Sequence, residues 1–288
     1  MLDLANNARH HRSGHFLPPL AYGTSILKKT KPRLAPLLFA VFALLASATQ
    51  AQNPQVLQQT RQLLDWLGFI QLLEQMPQAL NVSIEAEAHF RNATPAQVEA
   101  WRRELEPRMK QQQMQQGLIY YVAERYRADT FQRVAQILQE PLTKRVRYFD
   151  LAMTQPGTAK SVSDLRAQMH TEPSPTRRGL VQEIDAVGGT SLLAAVMQTG
   201  ISERVRRAAG DPASDDTVLQ AEIEERQRFL APLTADYSLY AYRYLRDEEL
   251  ASYRDLLKDA QLQWLLDISR QGLTAVLQGD VRPPDSKR

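Results

Sequence analysis

From about residue 50 onward, apolar side chains recur every three or four positions. Leu63, Trp66, Leu67, Ile70 and Leu73 share one face of a helix, while Arg61, Asp65, Gln71 and Glu74 take the other. Pro77 marks the next stop and is tolerated in the first turn of a second helix that runs through Glu85 and His89. Thr94-Pro95-Ala96-Gln97 reads as a capping box and predicts the start of a long helix carrying Trp101, Leu105, Met109, Leu118 and Val122. Pro107 lies inside that helix and should kink or interrupt it, because it removes a backbone donor and crowds the preceding turn. Further helix starts fall at Asp129-Thr130-Phe131-Gln132 and at Pro141. No stretch alternates apolar and polar residues over six positions, so strands find no support and the chain reads as all-α, a multi-helix bundle.

A break separates two stretches of this pattern. Punctuation at Gln155-Pro156-Gly157 and again from Glu172-Pro173 to Thr176 marks residues 156–177 as a connection. The same logic then resumes: Leu180, Ile184 and Val187 lead to Gly188-Gly189, and Leu192, Leu193, Val196 and Met197 continue on a new helix up to Gly210. Asp211 to Asp216 is a loop ending in a helix cap. Offset by about 119 residues, Phe131, Val134, Ile137, Leu138, Val146 and Phe149 fall on Leu250, Tyr253, Leu256, Leu257, Leu265 and Ile268. Pro107 and Pro232 hold similar places in the two long helices. This predicts two related helical halves, 52–155 and 178–280, with a disordered tail at 281–288; the competing reading is that any two amphipathic helices align at this spacing.

The first fifty residues are different material. A basic cluster from Lys28 to Arg33 precedes the apolar run Leu34 to Ala46, shorter than the roughly twenty residues of a spanning helix, and small residues follow at Ala46-Ser47-Ala48 and Thr49-Gln50-Ala51. That order is that of a signal peptide with its core at 34–46, cleaved after Ala51 or alternatively after Ala48, which predicts a periplasmic or secreted protein. Residues 1–27 are a polar prefix without such a pattern and predict a true translation start near Leu27. Removing the six bases and one acid of residues 1–51 from the chain's 35 and 32 leaves 29 against 31, a balance of −2. The basic character therefore belongs to the leader and gives no ground for a nucleic-acid partner. Cysteine is absent, which excludes disulfides, thiolate chemistry and a lipid-anchored cysteine, and no apolar span follows residue 51.

The segment Tyr244-Leu245-Arg246-Asp247-Glu248-Glu249-Leu250, with Tyr253, Leu257, Trp264 and Leu265 after it, resembles the helix pair of the bacterial exported domain-of-unknown-function 2059 family. Where that family has a Ser-Pro-x-Gly turn, this chain has Lys258-Asp259-Ala260-Gln261, and Gln139-Glu140-Pro141-Leu142 in the first half. The resemblance implies an all-α exported protein and brings no catalytic residues.

Motifs for chemistry are sparse. Glu85 and His89 share a helical face and are weak metal candidates lacking a third ligand, while His170 sits beside the connection. There is no Gly-x-Ser-x-Gly elbow, His-Glu-x-x-His or phosphate loop. Gly188-Gly189-Thr190-Ser191 reads as a helix stop and cap rather than an anion nest. The acids Glu222, Glu224, Glu225, Asp247, Glu248 and Glu249 read as solvated faces and helix starts. Tyrosines are the most specific feature: Tyr237, Tyr240 and Tyr244 share a face, Tyr242 lies on another, Tyr253 follows, and Tyr120, Tyr121 and Tyr126 occupy the matching part of the first half. They suit either packing between helices or the wall of a groove that is apolar on one side and wet on the other. The expectation is a non-enzymatic envelope protein that needs no cofactor and binds an unknown envelope protein or small ligand through Tyr120, Tyr121, Tyr237, Tyr240 and Tyr244. The alternative is a hydrolase using carboxylates on an envelope substrate; a pocket with two close carboxylates, one desolvated, would favour it.

Overall fold

The computed structural model describes residues 53–154, 164, 165, 167, 169 and 172–281. The predicted leader, the tail beyond residue 281 and most of the connection, including His170, lie outside them. Among the described residues there are twelve helices and no strand, an all-α bundle. In order these are α1 (Pro54–Trp66), α2 (Phe69–Glu74), α3 (Met76–Arg91), α4 (Pro95–Leu105), α5 (Gln111–Ala123), α6 (Ala128–Gln139) and α7 (Pro141–Thr154), then α8 (Pro175–Gly188), α9 (Thr190–Ala208), α10 (Asp216–Ala241), α11 (Asp247–Leu257) and α12 (Ala260–Gln278).

Local chemistry sets the boundaries. At α4 the Thr94 hydroxyl accepts from the Gln97 N–H at 3.4 Å while the Gln97 side chain accepts from the Thr94 N–H at 2.8 Å, the reciprocal capping box its sequence predicts. Asp215 caps α10 by accepting from the Val218 N–H at 2.9 Å. Gly68 ends the turn after α1 with φ of +84° and Gly189 ends α8 with φ of +73°, a conformation in which a side chain would be strained. Pro107 interrupts the predicted long helix, which becomes α4 and α5. Pro232, by contrast, sits inside an unbroken α10. The cost of an interior proline is about 3 kcal/mol, and α10 withstands it because α8 and α9 both pack along it.

Packing follows the apolar stripes. α1 lies against α5 and α6, and α8 lies against α10 and α11. The last helix of each stretch crosses over: α7 contacts α10 and α11, while α12 contacts α5 and α6. α9 runs through the middle, touching α3, α4, α10 and α12. Leu63, Leu73, Phe131, Leu118 and Ile201 are fully buried in one continuous core, each contributing roughly 1.5–3 kcal/mol of apolar burial. Where α12 meets α5, Gly272 permits the approach, since a Cβ there would stand 2.7 Å from the Tyr121 ring and 2.9 Å from Leu118. Leu165, inside the predicted connection, is fully buried. No single helix among the described residues is long and apolar enough to cross a membrane.

Candidate functional site

The two glycine corners, after α1 at Gly68 and after α8 at Gly189, open onto the same cavity of about 390 Å³. α7, α10, α11 and α12 close its other sides, and most of its wall is apolar, as at Trp66, Leu193, Leu257 and Leu262. The Gly189 corner is built from its own side chains. Asp185, only 7% exposed, accepts from the Ser191 N–H at 2.8 Å and the Ser191 hydroxyl at 2.6 Å, so a carboxylate already satisfies the first turn of α9. The helix stop predicted within Gly188 to Ser191 therefore holds, whereas the N-cap is Gly189, and Asp185, not a Thr190 or Ser191 hydroxyl, accepts from the first turn of α9.

The wall contributed by α7 is less fully served. Asp150 is solvent-exposed on the cavity wall, and the surrounding protein still crowds it enough to desolvate the carboxyl in part. That desolvation pushes its carboxyl pKa up to about 6, against the opposing effect of its hydrogen bond from Tyr242. The Tyr242 hydroxyl donates to Asp150 Oδ1 at 2.8 Å and is itself hydrogen-bonded by Ser238. Burial first, and then the charge of Asp150, raises the pKa values of Tyr242 and Tyr253, keeping both phenols neutral. Behind the wall, Thr143 Oγ1 and Gln71 Oε1 are shut off from both solvent and cavity and have no hydrogen-bond partner. The Gln71 amide nitrogen is committed to Asp65 at 2.7 Å, and Arg147 donates to the other Asp65 oxygen at 2.8 Å.

A second cavity, of about 330 Å³, lies between α9, α10 and α12. Its buried acid, Glu203, is saturated: it accepts from the Ser214 N–H at 2.9 Å, the Ser214 hydroxyl at 2.8 Å and Arg206 at 3.0 Å. Burial pushes its pKa up, but these hydrogen bonds and the Arg206 charge outweigh that and hold it below the usual carboxylate value.

The predicted tyrosines do not form one groove. Tyr237 lines the 390 Å³ cavity. Tyr121 packs between α5 and α12 with the Arg125 guanidinium 3.7 Å from its ring centre, and Tyr120 is half-buried on the same helix. Tyr240 and Tyr244 bracket Arg243 at 3.9 and 4.4 Å, with Tyr244 67% exposed. Tyr242, the residue that caps the end of α10, is buried and donates to Asp150 on α7. Glu85 is exposed and pairs with Arg102 at 3.7 Å, and His89 is exposed. No group of three potential metal ligands occurs among the described residues. Among the predicted surface acids, Glu222 pairs with Arg206 at 2.9 Å, Asp247 with Arg177 at 2.6 Å and Glu249 with Arg145 at 2.8 Å.

Sequence reasoning missed Asp150 and Thr143, and it read Tyr242 and Tyr253 only as members of the tyrosine cluster and Gln71 only as part of a polar face. One signal was available: Asp150 is a lone acid within Tyr148-Phe149-Asp150-Leu151-Ala152-Met153. An isolated charge in an apolar helical run needs a reason to be there. No protein-family profile, no curated protein and no solved structure matches this chain.

Proposed function

We propose that this chain is an exported binding protein of the cell envelope that holds a small, largely apolar ligand in the 390 Å³ cavity. The observation that carries the reading is the cavity itself, whose wall is mostly apolar with a few polar side chains, Asp150, Arg147 and Tyr237 among them, along it. Binding is favoured over hydrolysis because the other carboxylate in the lining, Asp65, is tied to Arg147 and Gln71, so Asp150 has no free acid opposite it to complete an acid–base pair.

The export part of the proposal rests on the basic cluster, apolar core and small-residue exit within residues 28–51. A mature N-terminus at Gln52, found by mass spectrometry of envelope extract, would support it; a leader still attached to cytosolic protein would sink it. An ancestral duplication is supported by the packing order. α1 sits on α5 and α6 as α8 sits on α10 and α11, and the crossing of α7 and α12 is reciprocal. Its two corner glycines, Gly68 and Gly189, both have positive φ and both face the cavity. The likeness of residues 244–265 to the exported domain-of-unknown-function 2059 family fits this account and marks where kinship is best sought.

The cavity is tested with N-phenyl-1-naphthylamine, a neutral dye that brightens in apolar surroundings. The protein should bind it saturably at one site. Leu193→Trp, which places a larger ring in the cavity wall, should abolish that binding while leaving the helical circular dichroism intact. Equal dye binding by wild type and variant would refute the proposal.

A further inference from the structure

We infer that the smaller cavity, about 330 Å³ between α9, α10 and α12, is a second binding site for an amphipathic oxyanion, with a phosphate or carboxylate head on Arg204 and Arg207 and a short apolar body against Val196, Leu219, Ile223 and Leu277. The inference is independent of the larger cavity and of what enters it.

Local packing brings the arginines there. α9 approaches α12 at Gly200, where a Cβ would stand 2.8 Å from Leu277, so Arg204, one turn further along α9, reaches the end of α12. Its Nε donates to the Leu277 carbonyl, one of the acceptors that a helix leaves open at its C-terminus. Gly279, with φ of +85°, leaves the space that the guanidinium occupies, since a Cβ there would stand 2.6 Å from Arg204 Nη2. Arg207 follows one turn later on α9 and lines the same cavity.

Capping α12 occupies Nε alone. Among the described residues, Nη1 and Nη2 of Arg204 and the whole guanidinium of Arg207 have no hydrogen-bond or ion-pair partner. Both Arg204 nitrogens keep accessible surface, and Arg207 is exposed. Guanidinium N–H groups only donate, and they match the paired oxygens of a carboxylate or phosphate.

The acids along the cavity leave this demand open. Glu203 is saturated by Ser214 and Arg206, while Asp216 and Asp280 form no ion pair with either arginine. Burial first, and then the charges of Arg207 and of Arg108 between α4 and α5, pull the Arg204 pKa below its ordinary value, and Asp280 opposes them only in part. The charges acting on this half-buried guanidinium are therefore net positive. A cation in the cavity would add to the repulsion, whereas an anion relieves it and replaces the hydration that burial removed.

The experiment is isothermal titration calorimetry of the purified protein with hexyl phosphate, hexanoate, hexan-1-ol and inorganic phosphate. At least one of the two amphipathic anions should bind at a single site, about tenfold more tightly than hexan-1-ol or inorganic phosphate, and the tighter of the two identifies the head group. Arg207→Gln, a change at an exposed position, should weaken that anion about tenfold and leave hexan-1-ol unaffected. Arg204→Gln should do the same, with its lost cap on α12 read separately as a lower melting temperature. Leu193→Trp, in the wall of the larger cavity, should leave anion binding unchanged. Hexan-1-ol binding as tightly as both anions, anion affinity unchanged in Arg207→Gln, anion binding abolished by Leu193→Trp, or no saturable binding of either anion would each overturn the inference and leave the reading of the larger cavity intact.

Discussion

The corner between α8 and α9 buries an aspartate and the wall formed by α7 exposes one, and the two are served in opposite ways. Asp185 receives two hydrogen bonds from Ser191, at 2.8 and 2.6 Å, from within its own corner. Among the described residues Asp150 receives one, from Tyr242 just past the end of α10, and lines the cavity. The contrast separates an acid that shapes the backbone from one that the fold leaves open to solvent. Filling a buried acceptor with neighbouring donors rigidifies a turn, whereas an exposed acceptor beside a cavity stays available to other donors.

The comparison breaks first if Asp185→Ala is harmless. Its loss strands the Ser191 N–H and hydroxyl in a buried corner, so stability should fall by about 2–4 kcal/mol in urea denaturation. Ser191→Ala keeps the acid and its backbone bond and should cost less, about 1 kcal/mol by the same measurement.

Asp150→Asn should move the other way and stabilise. Its folded-state pKa is raised from 3.8 to about 6, so the native state holds the proton more tightly than the unfolded chain does. The resulting penalty is absent below about pH 4, grows as pH rises toward 6 and is complete above it. The asparagine variant should therefore gain on the order of 1 kcal/mol at pH 8, allowing for solvent that reaches the cavity wall, and nothing at pH 3.5. Glu203 has the opposite sign. Its pKa is lowered, so its contribution is present above the ordinary carboxylate value and is lost as the solution is acidified below it. Glu203→Gln should thus flatten the acid limb of a stability–pH curve whose neutral limb Asp150→Asn lifts.

The smallest effect is expected from Tyr240→Ala with Tyr244→Ala. The pair brackets a surface arginine, so thermal stability should change by less than about 1 kcal/mol and dye binding should be unchanged. A large loss of dye binding in this double variant would return the site to the tyrosine face on α10.

Periodicity made the helices legible because it is local: the capping box at Thr94, the break at Pro107 and the stop at Gly189 each act within a few residues. Pro232 was harder to read, since its tolerance depends on α8 and α9 packing along α10. The cavity was not legible for the same reason. Asp150 and Tyr242 are 92 residues apart, and nothing in their immediate sequence states that they meet. Tyr242 was set apart from Tyr237, Tyr240 and Tyr244 by helical phase, which correctly placed it on a different face. Only the position of α7 shows that this face turns inward.

The crossing of α12 onto α5 and α6 has a consequence during synthesis. A ribosome that has delivered the chain as far as Leu257 has yet to supply Leu265, Leu273 and Val276, buried residues of the helix that closes over Leu118 and Tyr121. Until that helix emerges, apolar surface made about 140 residues earlier lacks its final cover. A polypeptide that matures so late remains threadable for as long as it is being made.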